Sequence, residues 1–217
     1  MLITSSIFSA SIVHGFSTAT YDFSPQSPDW EQFPSLFGGA YRYALVSQVH
    51  GDRVLQASSA GLIGEADALC TQQKGLILAI RTADCVPVLV EAEKEVFAIH
   101  AGWRGIANGI ITKTLANVVG LKAAVVGPCI SVDAYEVGQE VVDGIIGSGI
   151  PKEVFVQERD PRPHVDIKAA AQYQLQQVGV PNIDVLTHCT FLDHRFHSYR
   201  RDASRSGRIA GFIGFAL

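Results

Sequence analysis

Apolar and polar positions fall into two rhythms along the chain. Short runs such as YRYALVSQVH (41–50), GLILAI (75–80) and AAVVG (123–127) are too compact for helices and read as strands. Gly51-Asp52 is a tight-turn signal, so RVLQAS is expected to return beside 41–50 as a hairpin partner. VPVLVEAEKEVFAIH (86–100) has the form of a hairpin. Helical spacing appears over 105–119, with Ile106, Ile110, Ile111, Leu115 and Val118 on one stripe. It recurs over 135–146 and from about Asp166 to a closing Gly179. VPNIDVLTHC and the tail GRIAGFIGFAL predict further strands. Residues 23–39 carry three prolines and a closing Gly-Gly, and read as an irregular surface loop or lid. Strands and helices are interspersed without regular βαβ alternation. The expected fold is therefore α+β, a single domain over 1–217 built on mixed sheet.

Composition narrows the function classes. The chain has 217 residues, 47% hydrophobic and 18% charged, enough for one substantial core. A net charge of −4 gives no reason to expect nucleic acid as a partner. No apolar run reaches the roughly 20 residues of a membrane span, and the first residues lack the charged start of a signal peptide. Cys70, Cys85, Cys129 and Cys189 are widely spaced, with no CxxC, so a reducing cytoplasm is expected.

Candidate chemistry gathers around the 86–100 hairpin. A turn centred on Ala92-Glu93 pairs residues whose numbers sum to 185, setting Cys85 opposite His100 on one face of the sheet. A thiol beside an imidazole suits zinc or copper, and also a thiol nucleophile. His50, at another strand end, offers a third ligand. Arg104 stands near the start of the predicted 105–119 helix, where an anion is welcome. Five of the eleven arginines lie in 195–208, among them Arg200 and Arg201. These two, with Arg104, are the candidates for gripping phosphate. Asp84 is expected to point away from Cys85, since neighbours on a strand face opposite sides. Trp103 can pack or stack on a base, Cys129 can line the pocket or stay buried, and His14 can approach the site from the N-terminal segment.

The chain resembles the laccase-domain family, whose members are described as multicopper polyphenol oxidoreductase-like proteins, bacterial purine nucleoside phosphorylases and peptidoglycan-editing factors. The likeness rests on HGFST (14–18), SQVHG (47–51), ADAL (66–69), TADCVPVLV (82–90), HAGWRG (100–105), GPCI (127–130), YEVG (135–138), CT (189–190) and SYRRD…SGR (198–208). It implies a compact sandwich of mixed strands with helices outside. It also implies a zinc ion held by His50, Cys85 and His100, the same three residues reached above. The implied activities are phosphorolysis of adenosine, inosine, guanosine and methylthioadenosine, and deamination of adenosine. Copper-dependent phenol oxidation is the alternative, and editing of a cell-wall precursor another. The chain departs from the family pattern after HGFST, where Ala19 stands in place of an arginine, and at Phe196-His197. Seven histidines without one HxH pair make a multicopper cluster hard to build. A metal-free cysteine hydrolase using Cys85 and His100 would keep its activity in chelator.

Overall fold

A computed structural model describes residues 2–217. Two six-stranded mixed sheets lie face to face. The first runs in the order β1 (Leu2–Ile3), β2 (Ile12–Ser17), β14 (Ile209–Phe215), β7 (Leu76–Thr82), β3 (Arg42–Ser47), β5 (Gly61–Glu65). The second runs β13 (Ile183–Val185), β10 (Leu121–Val126), β8 (Val86–Ala92), β9 (Val96–Ala101), β6 (Ala68–Thr71), β4 (Val54–Gln56). Two short strands, β11 (Val156–Gln157) and β12 (His164–Val165), form a small separate ribbon. Helices α1 (Trp103–Ala107), α2 (Ile110–Leu115), α3 (Gln139–Gly147), α4 (Lys152–Phe155) and α5 (Ile167–Gln177) precede a last short helix, α6 (Tyr199–Asp202). This is the expected α+β sandwich of mixed sheets with flanking helices.

Strands buried on both faces should read as continuous apolar runs, and these do. In β8, Val86, Val88 and Val90 face the helices, while Leu89 points between the sheets. In β7, Leu76, Leu78 and Ile80 point between the sheets, while Ile77 and Ala79 face outward. The molecule therefore has three apolar layers. One lies between the sheets, one under the helices, and one on the outer face of the first sheet.

That outer layer refines the reading of 23–39 as a surface loop: the segment runs over the surface but sets three rings into the core. Phe23, Trp30 and Phe33 are buried there against Ile77, Ala79, Ala210 and Phe212. Two 3-10 turns, Pro28–Glu31 and Phe33–Phe37, carry Trp30 and Phe33. The residues between the three rings are exposed or half-buried, so the pattern reads as irregular.

Other boundaries move for local reasons. The 105–119 helix is two pieces, α1 and α2, because Gly109 adopts φ +72°, a left-handed conformation that stops the first turn of chain. The 135–146 helix begins only at Gln139, since Glu136 pairs with His164 and Gly138 is extended. The 166–179 helix starts as expected, with the Asp166 carboxylate accepting the Ala169 amide. The expected hairpin of 41–50 with 53–58 does not form. After β3 the chain crosses to the other sheet, where β4 pairs with β6. Among the described residues no helix is long and apolar enough to cross a membrane.

Candidate functional site

At one end of the sandwich, the chain leaving β3, the chain entering β8 and the end of β9 converge. The β8–β9 hairpin turns at Glu93-Lys94, not Ala92-Glu93, with Ala92 donating its amide to Glu95. Pro87 then faces His100 and Val86 faces Ala101, so the paired numbers sum to 187. Cys85 comes opposite Gly102 instead of His100. The slip is even, and an even slip keeps every side chain on its face. Cys85 and His100 therefore remain on one side, and His50 joins them from the loop after β3. The ligand atoms of His50, Cys85 and His100 lie within 4.8 Å of one another, and the two imidazole rings meet edge-on with centroids 4.9 Å apart.

Gly102 forms the floor of this group. A Cβ there would stand 3.2 Å from Cys85 Sγ and 3.3 Å from the His50 ring. Its backbone is ordinary extended chain, so the demand is for space.

A buried carboxylate, absent from the sequence-based candidates, organises the donors. Asp67, fully buried, has Oδ1 2.7 Å from His100 Nδ1. It also accepts the backbone amides of Val49, His50 and Gly51. These bonds hold the His50 loop, where His50 itself takes φ +59°. A carboxylate on one ring nitrogen leaves the other, Nε2, for a ligand. The signal for Asp67 was present in ADAL: an aspartate bounded by apolar strand residues must find donors.

Electrostatics favour the metal-ready form of the thiol. Burial pushes the Cys85 thiol up, but the charge and hydrogen bond of His100, then His50, outweigh it and bring it well below the usual range. Burial pulls His100 down, but Cys85 and Asp67 outweigh that and raise it. Asp67 is held low despite its burial, chiefly by its bond to His100. A thiolate, two imidazoles and a carboxylate behind one of them form a donor set that fits zinc and also accommodates copper.

A cleft of about 640 Å³ opens over the three donors. Its wall includes Gln48, Trp103, Tyr135, Tyr199 and four arginines, Arg81, Arg104, Arg200 and Arg208. Arg104 and Arg200 are exposed, and lie over the rings of Trp103 (4.4 Å) and Tyr135 (5.3 Å). Arg201 is not on the cleft wall. Its guanidinium donates to the carbonyls of Thr190, Phe191 and Phe196 and to Asp202, stapling its own loop. Arg208 belongs to the basic 195–208 element without being singled out in it, and Arg81 was not among the anion candidates, because it ends an apolar strand run and its meeting with Arg208 depends on strand pairing across the chain.

Asp84 also lines the cleft, against the expectation from strand alternation, because φ +85° takes it out of regular strand geometry. Both its oxygens are engaged, one by the Thr190 hydroxyl and one by the Arg200 amide. Its place is therefore a tie between loops. His14 lies away from the cleft, bonded to Ser5 and packed edge-on against Phe8. Cys129 is fully buried behind Ile130, which does reach the cleft.

Residues 31–216 match the family described as multi-copper polyphenol oxidoreductase laccase. A purine nucleoside phosphorylase from Deinococcus radiodurans is 39% identical over 181 residues, covering 79% of this chain and 70% of that protein. The purine nucleoside phosphorylase YfiH of Escherichia coli K12 is 36% identical over 180 residues, covering 77% and 72%. Among solved structures, a Neisseria meningitidis protein of family DUF152 superposes with TM-score 0.86 at 27% identity, covering 100% of this chain and 99% of that one. YlmD from Geobacillus stearothermophilus gives 0.85 at 27% identity, covering 96% and 93%.

Proposed function

The chain belongs to the multi-copper polyphenol oxidoreductase laccase family, and from that premise we propose that it is a zinc-dependent purine nucleoside phosphorylase, with residues 1–217 acting as one domain. The observation that carries this reading is the shared cleft: a three-donor group and four arginines line the same wall. Relatives named purine nucleoside phosphorylase support it. The cleft volume suits a nucleoside with its co-substrate.

Phosphorolysis joins a phosphate oxygen to C1′ of the ribose as the C1′–N9 bond breaks. The bonding pair leaves with the purine, which gains a proton, and ribose 1-phosphate remains. Such a reaction needs an anion held close to the sugar and stabilisation of the departing base. His50, Cys85 and His100 would hold the zinc ion, which when bound supplies Lewis-acid polarisation within the cleft. Asp67 keeps the His100 ring oriented and its Nδ1 proton in place. Arg104 and Arg200 give the mouth of the cleft a positive field for phosphate. Trp103 and Tyr135 hold those guanidinia against their faces. Adenosine, inosine, guanosine and methylthioadenosine are the proposed substrates.

Three protein donors leave one position of a tetrahedral ion open, the pattern of catalytic sites and not of closed structural ones. That supports adenosine deamination as a second activity of the same cleft. Copper-dependent phenol oxidation is the competing reading. The single group of three donors among the described residues speaks for one-metal chemistry.

The test is product analysis with purified zinc-loaded protein and adenosine, with and without phosphate. Adenine and ribose 1-phosphate formed only with phosphate are expected. Inosine formed without phosphate reports the deaminase. Neither product from protein confirmed to hold zinc overturns both assignments.

A further inference from the structure

Arg81 and Arg208 are placed together by strand pairing. Arg81, in β7, lies opposite Ala210 of the antiparallel β14. Arg208 precedes Ala210 by two residues, and so stands diagonally across from Arg81 on the same face, at a separation of about 7–8 Å between backbones. That face is the outer one, continuing the rows of Ile77 and Ala79 and of Ala210 and Phe212. Both arginines end on the cleft wall, and both are half-buried.

No carboxylate among the described residues comes within 4 Å of either guanidinium. Arg81 donates Nη2 to the Val46 carbonyl at 3.0 Å and reaches Gln48 Oε1 with Nε at 3.5 Å. Arg208 donates Nη1 to the carbonyls of Ser206 and Gly207. These bonds aim the two forks without neutralising them. Burial, and then the charge of Arg208, lower the Arg81 pKa. Burial and the like charge of Arg208 both disfavour the Arg81 cation, and an anion bridging the pair would offset them. The Asp22 carboxylate meets Arg208 through its backbone amide, leaving the guanidinium to the cleft. Arg201 shows the alternative, a half-buried arginine matched to Asp202.

The backbone of Arg81 is also tied to the metal-donor loop. Gln48 Nε2 donates to the Arg81 carbonyl at 2.7 Å, and the Arg81 amide donates to Gln48 Oε1 at 2.8 Å. Gln48 stands two residues before His50. The arginine pair and the metal donors are thus held in one frame.

We infer that Arg81 and Arg208 form the phosphate subsite of the cleft, gripping a tetrahedral oxyanion between their two guanidinium forks. As an assignment of the attacking phosphate, this rests on the phosphorylase reading above; as an anion site it does not. Arg104 and Arg200, exposed at the mouth, draw the anion in, and the half-buried pair holds it.

The experiment uses zinc-loaded protein and two readouts: inorganic phosphate titrated by calorimetry without nucleoside, and steady-state kinetics. The variants are Arg81→Gln and Arg208→Gln, with Arg208→Lys as a milder change that keeps one point charge and loses the fork. Zinc content and circular dichroism select folded protein. The expected result is phosphate binding weakened at least tenfold in each Gln variant and several-fold in Arg208→Lys. KM for phosphate should rise in parallel, with KM for nucleoside within about twofold. Folded, zinc-loaded variants that bind phosphate within twofold of the parent overturn the inference, as does a parent that binds no phosphate. Loss of phosphate binding in variants of a parent that releases no purine supports the subsite and removes the phosphorylase reading. Phosphorolysis with an unmoved phosphate KM does the reverse.

Discussion

Asp67 and His100 are joined through a 2.7 Å contact between a carboxylate oxygen and Nδ1, inside a wall where Asp67 has no exposure to solvent. The same carboxylate holds the amides of the His50 loop. One anion therefore orients two of the three donors. Asp67→Asn should keep the shape and lose the charge. Zinc affinity is expected to fall by about 10–100-fold, the range seen when partners behind a metal-binding histidine are changed. Competition with a chromogenic chelator measures it, and unchanged affinity would reduce Asp67 to a structural hub.

Gly102→Ala places a methyl group within 3.2 Å of Cys85 Sγ and 3.3 Å of the His50 ring. Alanine tolerates the extended backbone there, so folding should survive. Metal stoichiometry and turnover should both drop, while the far-ultraviolet dichroism stays unchanged. A fully loaded, fully active Gly102→Ala protein would show that the donors have room the geometry does not give them.

Metal removal should expose one particular thiol. In metal-free protein the imidazoles favour the Cys85 thiolate, whereas burial, then Glu95, pushes the Cys70 thiol up to about 11. Burial pushes Cys129 up further still. Iodoacetamide is expected to label Cys85 first after chelation, and to keep labelling it below the pH range usual for cysteine. Zinc should protect it. Peptide mass spectrometry with and without chelator decides, and labelling of Cys85 that ignores the metal contradicts the three-donor assignment.

Arg201→Ala tests the reassignment of that residue. Its guanidinium serves three backbone carbonyls and Asp202. Removing it leaves those partly buried acceptors unmet, at a cost of about 1–3 kcal/mol. Denaturant unfolding should show that loss of stability. KM for phosphate, measured on the folded fraction, should stay within about twofold, and a tenfold rise would return Arg201 to the binding site.

Features set by local forces were legible in the sequence, and features set by long-range packing were not. Cys85 and His100 were legible as partners because a hairpin is local and its side-chain period is two. A turn placed one residue early changed which pairs are opposed without changing the face. Gly109 broke one helix and Gly138 delayed the start of another, since apolar spacing alone does not register a left-handed or extended backbone. The crossing of the chain between β3 and β4 left no local mark. Phe23, Trp30 and Phe33 reach the core by tertiary packing alone, and so did not announce themselves through period. The Arg81–Arg208 pairing depends on β7 meeting β14, a contact between segments far apart in the chain.

His50 follows β3 of one sheet, whereas Cys85 and His100 belong to the β8–β9 hairpin of the other. An ion gripped by all three is therefore a cross-link between the two halves of the sandwich, set at one end of it. Its binding energy would be drawn upon whenever the sheets separate, so occupancy of the cleft and mechanical closure of the whole domain become one equilibrium.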